Sequence, residues 1–277
     1  MAKARLDELL LKKGLFDDLD AARRAVWAGE VIVDDHLADQ PAARFAGDAD
    51  IRLRRRQNHF VSRGGEKLDA ALSRLKVSAE DRIALDIGAS TGGFTDCLLS
   101  RGAKRVYAVD IGRGQLAQKL RLNPAVVDLG GTDAMTLTVE DFHPSPDLAV
   151  ADVTFRSLAE VLPHVHSLLS GKREMVALLK PLFEARLAGM GRVREVQRRV
   201  FEHLLPRLEE GGIPIHDLIV SETPGSGGAV EFFLHIGEPV LLRAQVQERL
   251  EKLLGEAKRA LVKGQRSRRG GSRSRKA

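Results

Sequence analysis

One stretch, Ile83 to Thr95, constrains the fold of this chain most strongly; it reads Ile-Ala-Leu-Asp-Ile-Gly-Ala-Ser-Thr-Gly-Gly-Phe-Thr. Ile83 to Ile87 is a short apolar run with one acid near its end, which is typical of a buried parallel strand. Glycines then mark a turn, and Phe94 to Leu99 looks like the start of a helix. Strand, glycine-rich turn and helix form the crevice of doubly wound sheets, where ligands bind beyond the carboxyl ends of the strands. The stretch therefore predicts an α/β fold with a ligand site at this turn.

The acids around the turn indicate which ligand it binds. A second strand, Arg105 to Val109, ends at Asp110, which lies 24 residues after Asp86. This spacing suits a carboxylate that accepts hydrogen bonds from the two hydroxyls of a ribose. The turn lacks the Gly-x-Gly-x-x-Gly pattern of dinucleotide sites, and Asp86 would repel a pyrophosphate. We therefore expect a nucleoside ligand that carries positive charge.

The same loop allows a second interpretation. Gly88-Ala-Ser90-Thr-Gly92 also fits the Gly-x-Ser-x-Gly nucleophile elbow of hydrolases, which again lies between a strand and a helix. A hydrolase would need a late histidine, and His216 or His235 could be that residue. The elbow gives no role to Asp86 or Asp110, so we favour the nucleoside site.

Composition narrows the class of protein. A chain of 277 residues with 43% hydrophobic residues can hold one full-sized α/β domain and a smaller one. Its single cysteine, Cys97, excludes a disulfide scaffold and is expected to face the core from a helix. The charged N-terminus is unlike a signal peptide, and no segment reaches the roughly 18 apolar residues of a membrane span. We therefore expect a cytoplasmic protein, and we expect it to be monomeric. The histidines lack metal-ligand spacing, so no metal is expected.

The net charge of +6 is concentrated at the C-terminus, because residues 266–277 carry six basic residues and no acid. Gly, Ser and Arg dominate residues 265–277, which predicts a disordered tail. Such a tail would add salt-dependent affinity for phosphate backbones, or it could serve only solubility.

The sequence pattern of residues 1–60 predicts a separate module. Two helix-like segments precede short strand-like runs, and Ala-Arg-Arg-x-Val-x-x-Gly-Glu-Val-Ile-Val-Asp spans residues 22–34. Together with Arg5-Leu6-Asp7, this order resembles the S4 RNA-binding domain. The resemblance implies that Arg5, Arg23 and Arg24 contact RNA, although a solvated basic helix face would have the same appearance.

The segment after the S4-like module carries a basic cluster and then a further motif. Arg54-Arg55-Arg56 forms a basic cluster that is either a phosphate contact or a soluble linker. Ser62-Arg63-Gly64-Gly65-Glu66-Lys67-Leu68 then precedes the glycine loop, and we also assign Arg63 to RNA binding. With the S4-like module, these motifs resemble the TlyA (haemolysin A) family, whose catalytic half is similar to FtsJ-like 2′-O-ribose methyltransferases.

The resemblance implies an α/β fold class: a Rossmann-like methyltransferase sheet of seven strands, one of them antiparallel, with a small N-terminal α+β S4-type domain. Apolar runs near residues 126–129, 148–152, 175–180, 215–221 and 230–236 supply the remaining strands. We expect an S4-like domain with a basic linker over residues 1–60 and a methyltransferase domain over 61–240. A charged helix over 241–264 and a basic tail over 265–277 would follow.

The implied cofactor is S-adenosyl-L-methionine, which carries an ammonium and a sulfonium. Asp110 would hold its ribose, Ile111 would pack on the adenine, and Asp133 would accept from the adenine amino group. The family commonly has Thr-Asn where this chain has Thr132-Asp133, which weakens the last assignment. The other residues assigned to the cofactor are Asp86, Gly88, Ser90, Gly92, Gly93, Phe94 and Asp152.

Four residues match the Lys-Asp-Lys-Glu tetrad of the family: Lys67, Asp152, Lys180 and Glu231. A ribose hydroxyl is a poor nucleophile, so a base must accept its proton. By the resemblance, Lys180 is that base, Lys67 positions it, and the two acids orient the lysines. Each residue taken alone could equally form a structural ion pair.

The expected function is therefore methylation of ribosomal RNA at a ribose 2′-hydroxyl, with rRNA or ribosomal subunits as partner. One alternative is a membrane-active haemolysin, for which the segment Val240 to Val262 is too charged to be persuasive. The other is a non-catalytic RNA-binding or ribosome-assembly factor.

Overall fold

The computed structural model describes residues 3–16, 18–27, 29–53, 60–191, 195–225, 228–242 and 244–257, with only the backbone of Arg24. These residues form two compact units, the first ending before residue 59 and the second beginning there. Arg54, Arg55 and Arg56, and the predicted tail over 265–277, lie outside the described residues.

In its described residues, the first unit contains two helices and five short strands. Val26 on the second helix and Leu6 and Leu10 on the first are buried in one apolar core with Val31. The two predicted helices and the strands after them are present, but a further strand precedes the first helix. This strand and its pairing with the fourth strand were not foreseen, because three-residue strands carry too short a pattern. The elements are β1 (Lys3–Arg5), α1 (Leu6–Lys12), α2 (Leu19–Trp27), β2 (Val31–Val33), β3 (His36–Leu37), β4 (Arg44–Ala46) and β5 (Ile51–Leu53).

A seven-stranded mixed sheet forms the centre of the second unit. Its order is β11-β12-β10-β9-β6-β7-β8, and β12 runs antiparallel to both of its neighbours. The predicted sheet of seven strands with one antiparallel strand is confirmed. The strands are β6 (Ile83–Ile87), β7 (Arg105–Asp110), β8 (Val126–Gly130), β9 (Leu148–Ala151), β10 (Glu174–Leu179), β11 (Ile215–Val220) and β12 (Phe232–Ile236).

The chain order reverses between β6 and β9, which pair in parallel at the middle of this sheet. A crevice opens beyond the carboxyl ends of strands at such a switch point. The glycine loop after β6 and the acid Asp152 after β9 therefore meet at the same place. This topology positions the site described below.

Helices cover both faces of the sheet. Two short helices, α5 and α7, were not predicted; α7 starts at Pro181, a position where a missing backbone N–H costs nothing. The helices are α3 (Arg63–Leu75), α4 (Gly93–Ser100), α5 (Gln118–Arg121), α6 (Leu158–Leu168), α7 (Pro181–Leu187), α8 (Val196–Glu210) and α9 (residues 244–257).

Two apolar layers enclose the central strands, which explains why β6 and β9 read as continuous apolar runs. On one face Leu72 of α3 and Leu98 of α4 pack near Val150. On the other, α6 and α8 bury residues such as Leu162 and Phe201. Cys97 is buried as predicted, and burial raises the pKa of its thiol to about 12, so it stays an unreactive thiol.

The charged C-terminal helix packs on the second unit. Leu250, Leu253 and Leu254 of α9 are buried in the same apolar cluster as Phe201. Arg249 donates to Asp217 of β11 over 2.8 Å and ties the polar face of the helix to the sheet edge. Among the helices of the described ranges, none has the length and apolarity needed to span a bilayer.

Candidate active site

Lys180 and Asp152 lie together at the carboxyl edge of the sheet. Asp152 directly follows β9, and Lys180 directly follows β10, the strand beside it. The ammonium of Lys180 forms an ion pair with the Asp152 carboxylate, and both side chains are mostly buried. Parallel neighbours end at the same edge, so the two residues were brought together by the topology.

A second ion pair lies at the same edge. Lys67 on α3 donates from Nζ to Oε2 of Glu231 over 2.6 Å. Glu231 immediately precedes β12, and the antiparallel pairing places the start of β12 opposite the end of β10, with Phe232 opposite Leu179. Glu231 is only 5% exposed, so its charge is held by Lys67 rather than by water.

The loop after β6 approaches Asp152 closely. A Cβ atom on Gly88 would lie 2.3 Å from the backbone oxygen of Asp152, and Gly88 has φ +81, so only glycine fits there. Ser90 adopts φ +48 and donates its backbone N–H to Asp110 Oδ2 over 2.8 Å. The N–H of Gly112 reaches Oδ1 of the same acid over 2.7 Å. Asp110 thereby orders the loop, and its oxygens keep further lone pairs for a ligand.

Asp86 is fully buried below this loop. Its Oδ2 accepts a 2.6 Å hydrogen bond from Thr95, whereas Oδ1 has no partner among the described residues. Burial raises the pKa of Asp86 to about 7, the hydrogen bond from Thr95 opposes that rise, and the negative charge of Asp152 adds to it. A cation bound above the loop would favour the ionised form.

Two adjoining pockets open at this edge. The first has a volume of about 360 Å³ and lies between the ends of β6, β7 and β9. The second, of about 550 Å³, lies between α3, α7 and the segment before β12. Both fall in the size range of small-molecule sites. The residues shared by the two pockets are Gly88, Ser90, Asp152, Thr154 and Lys180.

The first pocket suits a flat, cationic ligand. Its two cations are already paired, Lys180 with Asp152 and Arg156 with Asp133 over 3.0 Å, which leaves the charge of Asp110 unbalanced. The N–H of Met135 is the main reason that the pKa of Asp133 is lowered, and Arg156 adds to the effect. Ile111 and Phe155, 54% and 75% exposed, offer apolar walls to a planar ring. S-adenosylmethionine is an adenosine derivative with two positive centres, a sulfonium and an ammonium. It fits the carboxylates and the apolar walls of this pocket.

Comparison with known proteins agrees with this geometry. A family model described as FtsJ-like methyltransferase matches residues 60–238. The 16S/23S rRNA (cytidine-2′-O)-methyltransferase TlyA of Mycobacterium tuberculosis is 39% identical, with 84% of this chain and 89% of that protein covered. The chain belongs to the TlyA (haemolysin A) family of FtsJ-like methyltransferases.

Other members of the family carry a different name. Hemolysin A of Brachyspira hyodysenteriae is 34% identical over 83% of this chain and 98% of its own length. A solved structure from Streptococcus thermophilus is also named as a candidate hemolysin. It is 34% identical, has a TM-score of 0.73, and matches 96% of this chain and 99% of its own. The resemblance inferred from the separate motifs is confirmed.

In the structure of this FtsJ-like methyltransferase, the predicted cofactor residues fall into three groups: those that line the first pocket, those that line only the second, and those that line neither. Two residues, Gly93 and Phe94, line the second pocket only, and two others, Asp86 and Gly92, line neither. Gly92 instead caps α4 with φ +93, and a Cβ there would lie 2.3 Å from Leu120. Those that line the first pocket are Gly88, Ser90, Asp110, Ile111, Asp133 and Asp152.

The predicted RNA-binding residues fall on both units. Arg63 lines the second pocket from the first turn of α3. In the first unit, Arg5 and Arg23 both pair with the buried Asp7, at 2.8 and 3.0 Å. Asp7 therefore holds two partly exposed guanidinium groups in place. The side chain of Arg24 lies outside the described residues.

Several pocket residues were missed from the sequence. Phe155 and Arg156 follow Asp152 in the loop before α6, and Leu182 and Phe183 follow Lys180 in α7. Glu184 is buried, and its Oε1 accepts the N–H of Leu158, so it joins α7 to the start of α6. The only signal for these residues was their position directly after a strand that ends in a candidate catalytic residue.

The nucleophile-elbow alternative is wrong in this family member. Ser90 Oγ donates to Gln115 over 3.3 Å and has no histidine beside it among the described residues. His235 contacts Glu174 at the start of β10, which is the opposite edge of the sheet, and the ring of His216 packs edge-to-face with that of His235. No group of metal-ligating side chains is found in the part of the chain that the structure describes.

Proposed function

We propose that this protein transfers the methyl group of S-adenosylmethionine to a ribose 2′-hydroxyl of ribosomal RNA. The observation that carries the proposal is the meeting of two pockets at the Lys180–Asp152 pair. One pocket suits the cofactor and the other is open to a polymer, so a methyl group and a hydroxyl can meet at the shared wall. The names of relatives as rRNA methyltransferases support the choice of RNA.

In this proposal the first pocket holds the cofactor. Asp110 accepts from the ribose hydroxyls with the lone pairs left by the N–H groups of Ser90 and Gly112. Ile111 and Phe155 enclose the adenine, and Asp133, fixed by Arg156, accepts from its amino group. Asp152 faces the positive end of the ligand. Asp86 acts from below the loop through its buried charge.

The chemistry requires a proton acceptor at the acceptor hydroxyl. When bound, S-adenosylmethionine supplies an electrophilic methyl group for in-line displacement. Lys180 in its neutral form takes the hydroxyl proton, and Asp152 orients its Nζ toward the second pocket. Lys67, held by Glu231, places a positive charge where the oxygen becomes more negative.

The first unit is proposed to be the S4-type RNA-binding domain, with a boundary near residue 60. Support comes from its helix, helix and strand order and from Asp7, which orients Arg5 and Arg23. Guanidinium groups fixed in this way are suited to phosphate contacts. The methyltransferase domain would extend from residue 61 to 240.

The proposal is tested with methyl-labelled S-adenosylmethionine and unmodified ribosomal subunits, beside free rRNA. Wild-type protein should place label in rRNA as alkali-resistant ribose methylation, and Lys180→Ala should not. Lys172→Ala is the matched control, because Lys172 is an exposed lysine just before β10 at the opposite edge of the sheet. Cofactor binding without label in any RNA would reject methyl transfer to ribosomal RNA.

A further inference from the structure

The second pocket contains both lysine–carboxylate pairs. Lys180 is paired with Asp152 and Lys67 with Glu231, so the four charges cancel in pairs. An RNA strand brings one negative charge with each phosphate, and its affinity for a protein comes largely from neutralising those charges. Lysines that are already paired with carboxylates contribute little to neutralising the phosphate charges. Other cations near the pocket must meet the phosphates that flank the target ribose.

One arginine lines this pocket, Arg63, and a second, Arg186, lies one helical turn beyond the lining residue Phe183. Arg63 is exposed at the start of α3, and Arg186 is exposed in the last turn of α7. Neither side chain has a carboxylate partner among the residues that the structure describes. Arg63 was already a candidate for RNA binding, whereas Arg186 was not.

Arg186 lies over an aromatic ring that lines the second pocket. Its guanidinium carbon lies 5.4 Å from the ring centroid of Phe183, and Phe183 lines the second pocket. A cation in the last turn of α7 also complements the helix dipole, but the dipole does not require a stacked arrangement. A stacked guanidinium keeps its planar edge of N–H donors free, and that edge matches the oxygens of a phosphate.

We propose that Arg186, stacked on Phe183, binds a phosphate next to the target nucleotide and works with Arg63 to hold the strand across the second pocket. The assignment rests on the proposed function, since it takes RNA as the acceptor. Arg186 belongs to the helix that begins directly after Lys180, so a strand fixed by Arg186 has its ribose placed relative to the base. The contact is to the backbone and carries no base preference.

The test compares Arg186→Ala and Arg186→Lys with Lys172→Ala in steady-state methylation of a ribosomal subunit accepted by the wild type. For Arg186→Ala we expect kcat/KM for RNA to fall roughly tenfold, as for loss of one charge-assisted hydrogen-bonded contact. KM for S-adenosylmethionine and Tm should stay unchanged. The plot of log kcat/KM against log salt should become less steep by about 0.7, as expected for one lost phosphate contact to a single strand.

The variants separate charge from stacked geometry. Arg186→Lys should retain the salt slope but recover only part of kcat/KM, because lysine lacks the planar fork. Lys172→Ala should match the wild type in every measurement. Equal kcat/KM and equal salt slope for Arg186→Ala and the wild type would overturn the assignment, as would a raised KM for the cofactor or a lowered Tm. If the wild type itself labels no RNA, the proposed function fails and the assignment fails with it.

Discussion

The two edges of the central sheet use buried charge in different ways. At the amino edge, Arg82 donates to Asp147 over 2.7 Å and to Glu174 over 2.9 Å, and Glu174 also contacts His235 at 3.0 Å. At the carboxyl edge, Asp86 is fully buried, and its partner among the described residues is one hydroxyl group rather than a cation. Asp152 and Glu231 at the carboxyl edge also have lysine partners, so the contrast lies between Glu174, which two cationic side chains contact, and Asp86, which has only a hydroxyl partner among the described residues.

The pKa values of the two acids move in opposite directions. The hydrogen bond with His235, followed by that from Arg82, lowers the pKa of Glu174 to about 2. Burial raises the pKa of Asp86 to about 7. The amino edge is arranged to stabilise the ionised acid in the folded protein itself. The carboxyl edge leaves a charge uncompensated where a cationic ligand would compensate it, which is the arrangement expected of a binding site.

The largest difference between the edges is expected for Lys180→Ala. Loss of a general base typically lowers kcat about 10²- to 10⁴-fold. The unpaired Asp152 remains partly exposed, so Tm should change little. Single-turnover methylation and thermal unfolding of the same preparations measure both quantities. Retention of more than a tenth of the wild-type rate would remove Lys180 from the role of base.

A second expected effect is a pH-dependent gain of stability in Asp86→Asn. The pKa of Asp86 is higher in the folded protein than in the unfolded chain, so its favourable contribution is present at low pH and lost as pH rises toward about 7. The variant carries no such charge and should be more stable than the wild type by a few kcal/mol at pH 8, with little difference at pH 4. Urea unfolding at several pH values measures this.

Cofactor binding provides the control for Asp86→Asn. If the buried charge serves a cationic ligand, the variant should bind S-adenosylmethionine more weakly than the wild type at pH 8. A variant less stable than the wild type at pH 8, despite native-like circular dichroism, would show that the folded site already compensates the Asp86 charge.

The reverse pH dependence is expected at the amino edge. Glu174→Gln keeps the shape of the side chain but removes the charge that Arg82 and His235 contact. It should lower the free energy of unfolding by about 1–3 kcal/mol at pH 7. Because the pKa of Glu174 is lowered in the folded protein, its contribution is present above about pH 4.5 and is lost as pH falls toward 2. The stability difference should therefore shrink below pH 4.5, while kcat per folded molecule stays at the wild-type value.

The sequence predicted the carboxyl edge better than the amino edge for a physical reason. Ile83 to Ile87, the glycine turn and the acids after successive strands follow from local patterns, and parallel strands bring their ends together automatically. The amino-edge network joins Arg82, Asp147 and Glu174, which occur just before or at the start of strands without any distinguishing motif. Only the register of the sheet makes these residues neighbours.

The finer parts of the site were beyond the reach of sequence patterns. Short α7 has too few residues for a helical period, so its pocket residues Leu182 and Phe183 could not be recognised. The burial of Asp86 also depends on the layers above and below it. A sequence shows that an acid ends a strand, but it does not show whether that acid reaches the pocket or lies beneath it.

The smallest effect tests the hydrogen bond that opposes the pKa rise of Asp86. Thr95→Val removes the donor to Oδ2 but keeps nearly the same volume in a fully buried position. The ionised acid then loses its one hydrogen-bonding side chain, so its pKa should rise further. We expect the free energy of unfolding, measured with urea, to fall by about 1 kcal/mol near neutral pH and by more at pH 8. A loss of the same size at every pH would show that Thr95 does not act through the charge of Asp86.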